Sequence, residues 1–317
     1  MNCLIVGVTG QTAAYVAKEL IERGFEVSGT TRNKARADFM SIAKVGVNPG
    51  QLNIFSLDPA DPRQVFSILA ANKYDYILNL AGQTSVSLSF EQPAQAFDSI
   101  SNSCLNFIEA LKVLGPNTKY FNASSSECFG NTGDARACEE TPFRPNSPYA
   151  VAKASAFHIT RLAREAYGIA AFSGILSNHE SPLRSRQFVT ARIIEQLRLI
   201  KSRRESRLVL GNLKTTRDWG FAPDYASAII GMLTSDHLED VIIATGESHS
   251  LSDFIDAAAN ELEIKDKFEI IQDLSLIRPL DIEICQLNPS RIKRLIGWEP
   301  STNFNGMVAK LVQGRLF

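Results

Sequence analysis

A short apolar run, Cys3-Leu4-Ile5-Val6, breaks at Gly7-Val8-Thr9-Gly10 and gives way to a helical pattern that stops at Gly24. Few openings restrict a chain as much. A strand without polar alternation must be covered on both faces, and one that turns through glycine straight into a helix begins a βαβ unit. The pattern then repeats. Residues 3–8, 26–31, 51–57, 76–80 and 119–123 read as strands, interleaved with helical segments at 13–23, 62–71 and 94–114.

This alternation predicts an α/β chain on a Rossmann-type, doubly wound parallel sheet. Residues 170–176 and 241–245 are expected to add strands to it, while the basic and polar stretches 184–217 and 250–317 form a smaller C-terminal lobe over the strand ends. The predicted division is 1–172 with 222–246 for a nucleotide-binding domain, and 173–221 with 247–317 for a substrate-binding lobe. With 44% hydrophobic residues in 317, the core can be large.

Charge and cysteine usage exclude several classes. Lys and Arg number 33 against 34 acidic residues, which gives no footprint for nucleic acid. Five scattered cysteines show neither a disulfide framework nor metal-ligand spacing, so no metal is expected and a reducing, cytoplasmic setting fits. Residues 1–10 read as a buried strand, not a signal peptide, and no run approaches the ~18 apolar residues that span a bilayer. No membrane association is expected.

Glycines at 7 and 10 let backbone amides approach a pyrophosphate at a helix N-terminus, which makes Gly7, Thr9, Gly10, Gln11 and Thr12 candidates for a dinucleotide. The spacing is GxxGxxA, not GxGxxG, and a glycine turn kept for packing is the bland competitor. The second strand ends at Thr31-Arg32 with no acid to hold ribose hydroxyls. Arg32 suits a 2′-phosphate, so NADP is favoured, with a solvated loop arginine as the other reading. Asp58 could accept from the adenine amine, and Leu80 and Ala81, beside Gly82, are small enough for a cofactor to lie flat on.

Tyr149 and Lys153 stand four apart, so a helix projects both from one face. A nearby ammonium is expected to lower the phenol's pKa and make it a usable acid/base. Pro148 places the tyrosine near a helix start, which disfavours an ordinary exposed pair. The fifth strand runs into Ser124-Ser125-Ser126-Glu127, offering a hydroxyl partner and a carboxylate. Hydride transfer alone does not need that carboxylate, whereas proton abstraction beside a carbonyl does. A turn-capping glutamate is the alternative.

These residues belong to longer stretches that closely resemble the GDP-mannose 4,6-dehydratase family, extended short-chain dehydrogenases. Among them are Gly7 to Gln11, Ser147-Pro148-Tyr149-Ala150-Val151-Ala152-Lys153, Asn178-His179-Glu180-Ser181-Pro182, Arg217-Asp218-Trp219-Gly220 and Gly297-Trp298-Glu299-Pro300. The resemblance covers nearly the whole chain. It implies a redox-neutral hydro-lyase acting on GDP-mannose or a related nucleotide sugar. Tyr149 would take the C4 hydroxyl proton, Ser125 hold the C4 oxygen with Ser126 close by, Glu127 act at C5, and Lys153 bind the nicotinamide ribose. It further implies Gln83, Leu176, His179 and Arg184 at the cofactor, and Thr84, Ser85, Asn178, Val189, Arg192, Gly211, Arg217 and Arg278 at the substrate. A homodimer or homotetramer would follow.

The chain departs from that pattern in places. Thr12 and Ala13 replace Asp-Gly, Ser125 replaces threonine, Ser85 histidine, Leu183 arginine and Arg192 lysine. Residues 33–39 are also shorter than the loop that reaches a neighbouring subunit in the family. Two other readings remain: a reductase of the 4-keto sugar (or another nucleotide-sugar dehydratase or epimerase), since residues 80–84 are similar to the reductases, and a non-catalytic NADP sensor. Glu127 discriminates against the first and the retained Tyr149 and Lys153 against the second.

Overall fold

The computed structural model describes residues 1–317 apart from Pro116, Lys214, Asp266 and Ile277 and the side chain of Ser275. The chain begins β1 (Asn2–Val6), α1 (Gln11–Glu22), β2 (Glu26–Thr31), α2 (Met40–Lys44), β3 (Asn53–Ser56), α3 (Pro62–Ala71) and β4 (Tyr76–Asn79). Next come α4 (Val86–Glu91), α5 (Pro93–Phe97), α6 (Ser103–Leu114), β5 (Lys119–Ser125), β6 (Arg136–Ala137) and α7 (Pro148–Tyr167). There follow β7 (Ala171–Leu176), β8 (Asn178–Glu180), α8 (Val189–Lys201), β9 (Arg207–Leu210), β10 (Thr216–Phe221), α9 (Ala222–Thr234) and β11 (Val241–Ile243). The last elements are β12 (Ser248–Ser250), α10 (Leu251–Glu261), β13 (Glu269–Gln272), β14 (Gln286–Leu287), α11 (Ser290–Ile296) and α12 (Phe304–Gln313).

Seven strands form one parallel sheet in the order β11-β7-β5-β4-β1-β2-β3. The apolar runs are its interior: residues 3–6 of β1 are fully buried because helices cover both faces. On one face α1 packs against α9, with Val16, Leu20, Ile229 and Met232 in the core. On the other, α3, α6 and α7 bury Phe107, Ala152 and Ala156 against Leu4, Ile77 and Tyr120. Each large aliphatic side chain removed from water contributes about 1.5–3 kcal/mol. A separate core of Leu197, Trp219, Phe254 and Phe304 holds α8, α10 and α12 together beyond the sheet. No helix among the described residues is long and apolar enough to cross a membrane.

The helix expected over 94–114 is interrupted. A wide π-turn, Asp98–Asn102, joins α5 to α6. The extra residue brings Ile100 against Gly82 and lets the Ser101 hydroxyl meet Ser155 at 2.8 Å, while Ser103 accepts from Asn79 at 3.4 Å. Such insertions have no periodicity signal of their own.

Chain direction across the sheet reverses at β1: β2 and β3 lie on one side, β4 and β5 on the other. The crevice beyond the carboxyl ends of β1 and β4 is therefore the natural ligand position of this architecture.

Candidate active site

A cleft of about 1620 Å³ opens along these strand ends and runs on to β8, α8, Leu276, Arg278, Pro279 and Asp281. It is lined by every residue named above for cofactor, substrate and catalysis except Ser126. Ser126 is only 3% exposed, and its carbonyl accepts from the Cys285 thiol at 3.7 Å.

The reactive pair is placed by a well-made helix start. Ser147 caps α7 by accepting from the Ala150 amide at 3.1 Å, and Pro148 occupies the first turn, where its missing N–H costs nothing. Tyr149 and Lys153 then face β5, both under 9% exposed. Lys153 Nζ donates to the Ala123 carbonyl at 2.6 Å and lies 5.9 Å from the Tyr149 ring centroid. Burial pushes the Lys153 ammonium down to about 8. The expected lowering of the phenol is not what the structure shows. Burial pushes Tyr149 up, opposed chiefly by the neighbouring Ser125 hydroxyl.

Glu127 sits in the short turn Ser126–Phe129 that ends β5, and its amide donates to the Ser125 hydroxyl at 3.3 Å. Its carboxylate lies 3.7 Å from Arg217 Nε. Arg217, expected at the substrate, is thus paired here with Glu127 on one side and with Asp281 at 3.7 Å on the other. Asp281 also faces Arg278 at 3.5 Å, and Arg278 Nε donates to Ser87 at 3.2 Å. Asp281 and Ser87 escaped the sequence reading. Asp281 follows Arg278 by three residues, the one local signal that could have found it.

At the other end, Gly7 has φ +83°, and a Cβ there would come within 2.9 Å of the Ala81 backbone. Gly10 caps α1 without any side-chain bond, so the first-turn amides stay open to the cleft. Gln83 Oε1 is buried with no hydrogen-bond partner among the described residues. Free amides at a helix start, a close backbone approach and an orphaned polar atom fit a dinucleotide. Arg32 stands exposed at the rim. One Asp58 carboxylate oxygen accepts from the Ala60 amide at 3.1 Å, so it is partly spent on its own turn.

The remaining side chains hold the lobe-side wall. Arg184 pairs with the buried Glu180 at 3.2 Å and stacks 3.6 Å from the Phe188 ring. Thr190 donates to the same carboxylate, meeting Glu180 at 2.7 Å. Arg192 Nε is buried without a hydrogen-bond partner among the described residues. Ser85 caps α4, accepting from Leu88 at 3.2 Å. Asp218, quoted above only as part of a motif, is buried beneath the site and accepts from Ser177 and from the Thr245 and Gly246 amides at 2.7–3.0 Å.

Residues 4–311 match the family model described as GDP-mannose 4,6 dehydratase. The chain belongs to that family. It is 36% identical to GDP-mannose 4,6 dehydratase 2 of Arabidopsis thaliana, over 98% of this chain and 85% of that one. It is 35% identical to GDP-mannose 4,6-dehydratase of Vibrio cholerae serotype O1, over 99% and 93%. Among solved structures, UDP-glucose 4-epimerase of Thermus thermophilus, in complex with NAD, superposes with a TM-score of 0.86 at 24% identity, covering 99% of this chain and 98% of that one. In this member of the dehydratase family, the Ser125 hydroxyl hydrogen-bonds Tyr149.

Proposed function

We propose that the protein dehydrates GDP-mannose to GDP-4-keto-6-deoxymannose with NADP bound at the start of α1. The observation that carries this is Glu127 in one cleft with Tyr149 and Lys153. Oxidising a sugar hydroxyl needs only the pair, whereas eliminating water needs a second acid/base. A dinucleotide held by Gly7, Thr9, Gly10 and the first turn of α1 would supply the redox chemistry, a hydride acceptor that becomes a donor within one cycle. Burial raises the Tyr149 phenol, so to take the C4 hydroxyl proton it must first become phenolate by giving up its own proton to solvent. The positive charges of Lys153 and of an oxidised nicotinamide would favour that loss, while Ser125 donates to the C4 oxygen. Lys153, fixed by Ala123, keeps a positive charge beside that phenolate. The ketone acidifies C5. The C5–H bond then breaks, its proton passing to Glu127 and its electron pair forming the C5–C6 double bond. The C6 oxygen leaves with its bonding pair and takes the proton from Glu127 to depart as water, and a solvent proton replaces the one lost from C5.

Gly7, Thr9 and Gly10 with the first turn of α1 would hold the pyrophosphate, and Arg32 the 2′-phosphate that separates NADP from NAD. Asn178, Arg192 and Arg278, with Thr84, Ser85, Val189 and Gly211, would receive the nucleotide sugar. In this reading residues 1–172 with 222–246 bind the dinucleotide, and 173–221 with 247–317 the sugar nucleotide. Exposed Leu105 and Val113 on α6 and Val151 and Leu162 on α7 support a homodimer or homotetramer, which light scattering would measure.

The test is incubation of the protein with GDP-mannose and catalytic NADP+, followed by mass spectrometry for loss of one water. Glu127→Gln is expected to abolish that loss while leaving NADPH binding intact. No loss with the unaltered protein, or normal dehydration by the variant, defeats the reading.

A further inference from the structure

One polar seam along the cleft has no part in the steps above. Gln11 and Thr12 open α1, and both side chains reach the stretch around β8. Gln11 Nε2 donates to the His179 carbonyl at 2.9 Å, and its Oε1 accepts from the Ser181 hydroxyl at 2.9 Å. Thr12 Oγ1 lies 2.7 Å from His179 Nε2. The other ring nitrogen, Nδ1, lies 2.8 Å from the Ser177 carbonyl, which can only accept. Nδ1 therefore carries the proton, and Nε2 accepts from Thr12. The imidazole stacks on Tyr225 with centroids 4.8 Å apart, and the Tyr225 and Ser177 hydroxyls are themselves bonded above the buried Asp218. Burial, with Arg184 nearby, pushes His179 down to about 4, so the ring stays neutral and this single tautomer persists.

The first turn of α1 is also the turn whose amides lack a side-chain cap. We propose that Thr12 and Gln11, clasped by His179 and Ser181, latch this turn to β8 and so retain the dinucleotide between turnovers. Thr12 and His179 are positioning residues in this scheme, and the retention role rests on the dinucleotide reading above. A latch suits the chemistry. The hydride is returned within each cycle, so turnover requires no exchange of the dinucleotide. It also suits the energetics, because deleting the Thr12 hydroxyl leaves a part-buried ring nitrogen without its donor while the latch is closed and thereby favours opening.

Thr12→Val keeps the side chain's shape and removes the donor. Two quantities are read: hydrogen exchange of the amides at residues 10–14, and the rate of NADPH release by stopped-flow fluorescence. Both should rise in the variant, release by on the order of tenfold, and Thr12→Ser should bring both back near the original values. Unchanged exchange overturns the latch; faster exchange with unchanged release overturns its retention role. Failure of the unaltered protein to bind NADPH defeats the dinucleotide reading and the retention role together, while amide exchange still judges the latch. If Thr12→Val does not fold, Ser181→Ala, which removes one of the two bonds that hold Gln11, provides the same comparison.

Discussion

Gly7 and Gly24 offer a matched pair for measuring what a close backbone approach is worth. Their φ angles are almost equal, +83° and +80°, yet a Cβ at Gly7 would lie 2.9 Å from Ala81 Cα, whereas one at Gly24 would meet nothing within 4 Å. Alanine at Gly24 therefore suffers only the left-handed backbone, about 1–2 kcal/mol. Alanine at Gly7 suffers the same strain plus overpacking against main chain that cannot rotate away, a further ~1–3 kcal/mol. The expected losses are about 1–2 kcal/mol for Gly24→Ala and about 2–5 kcal/mol for Gly7→Ala, read from urea unfolding midpoints. The second consequence is functional. Relief of the clash must move the loop after β4, where Ala81 lines the cleft, so Gly7→Ala should weaken NADPH binding while Gly24→Ala leaves it unchanged. Equal destabilisation by the two substitutions, or undiminished NADPH affinity in Gly7→Ala, would refute the claim that β1 and β4 approach closely to shape the cofactor site.

Other consequences can be checked separately. The Lys153 ammonium titrates at about 8 in the fold against an ordinary 10.5, so between these values the unfolded chain binds the proton and the folded chain does not. Stability from this group therefore rises with pH across that window, and Lys153→Met should lack the rise when the two proteins' unfolding is compared at both ends of it. Asp218→Ala strands the part-buried amides of Thr245 and Gly246, each at ~1–3 kcal/mol; denaturation should show a loss of about 3 kcal/mol, and a loss under about 1 kcal/mol would contradict the geometry. Arg32→Glu should lower affinity for NADPH far more than for NADH in fluorescence titration, and an equal change for both would remove Arg32 from the 2′-phosphate site.

The parts of the molecule that were legible are those written in one short window. The spans 26–31 and 62–71 agree with β2 and α3 end to end, and the other sheet strands agree within a few residues, since a buried parallel strand is an unbroken apolar run. Pro148 marked the start of α7, and a spacing of four put Tyr149 and Lys153 on its inner face. What escaped is what the chain assembles from distant positions. Nothing near Lys153 says that its ammonium will meet the Ala123 carbonyl, 30 residues away in sequence, or that burial will set the direction of the Tyr149 shift. The Thr12–His179 bond spans 167 positions and is equally silent locally.

The same division follows from where polar groups can exist in a doubly wound sheet. Inside it, both faces of each strand are covered, so a polar side chain there must find a partner or cost about 1–3 kcal/mol. The residues proposed to meet a ligand therefore stand just past the strand ends: Gly7 after β1, Arg32 after β2, Leu80 and Ala81 after β4, Glu127 after β5 and Asn178 after β7. A sequence reader finds these by finding where an apolar run stops. The opposite wall is not built this way. Arg192 comes from a helix, Arg217 from a short strand and Asp281 from an irregular segment. No apolar run ends at Arg192 or Asp281 to announce them, and the family resemblance alone marked Arg217 and Arg278. Asp281, outside every motif quoted, is the residue whose pairing with both arginines only the fold reveals.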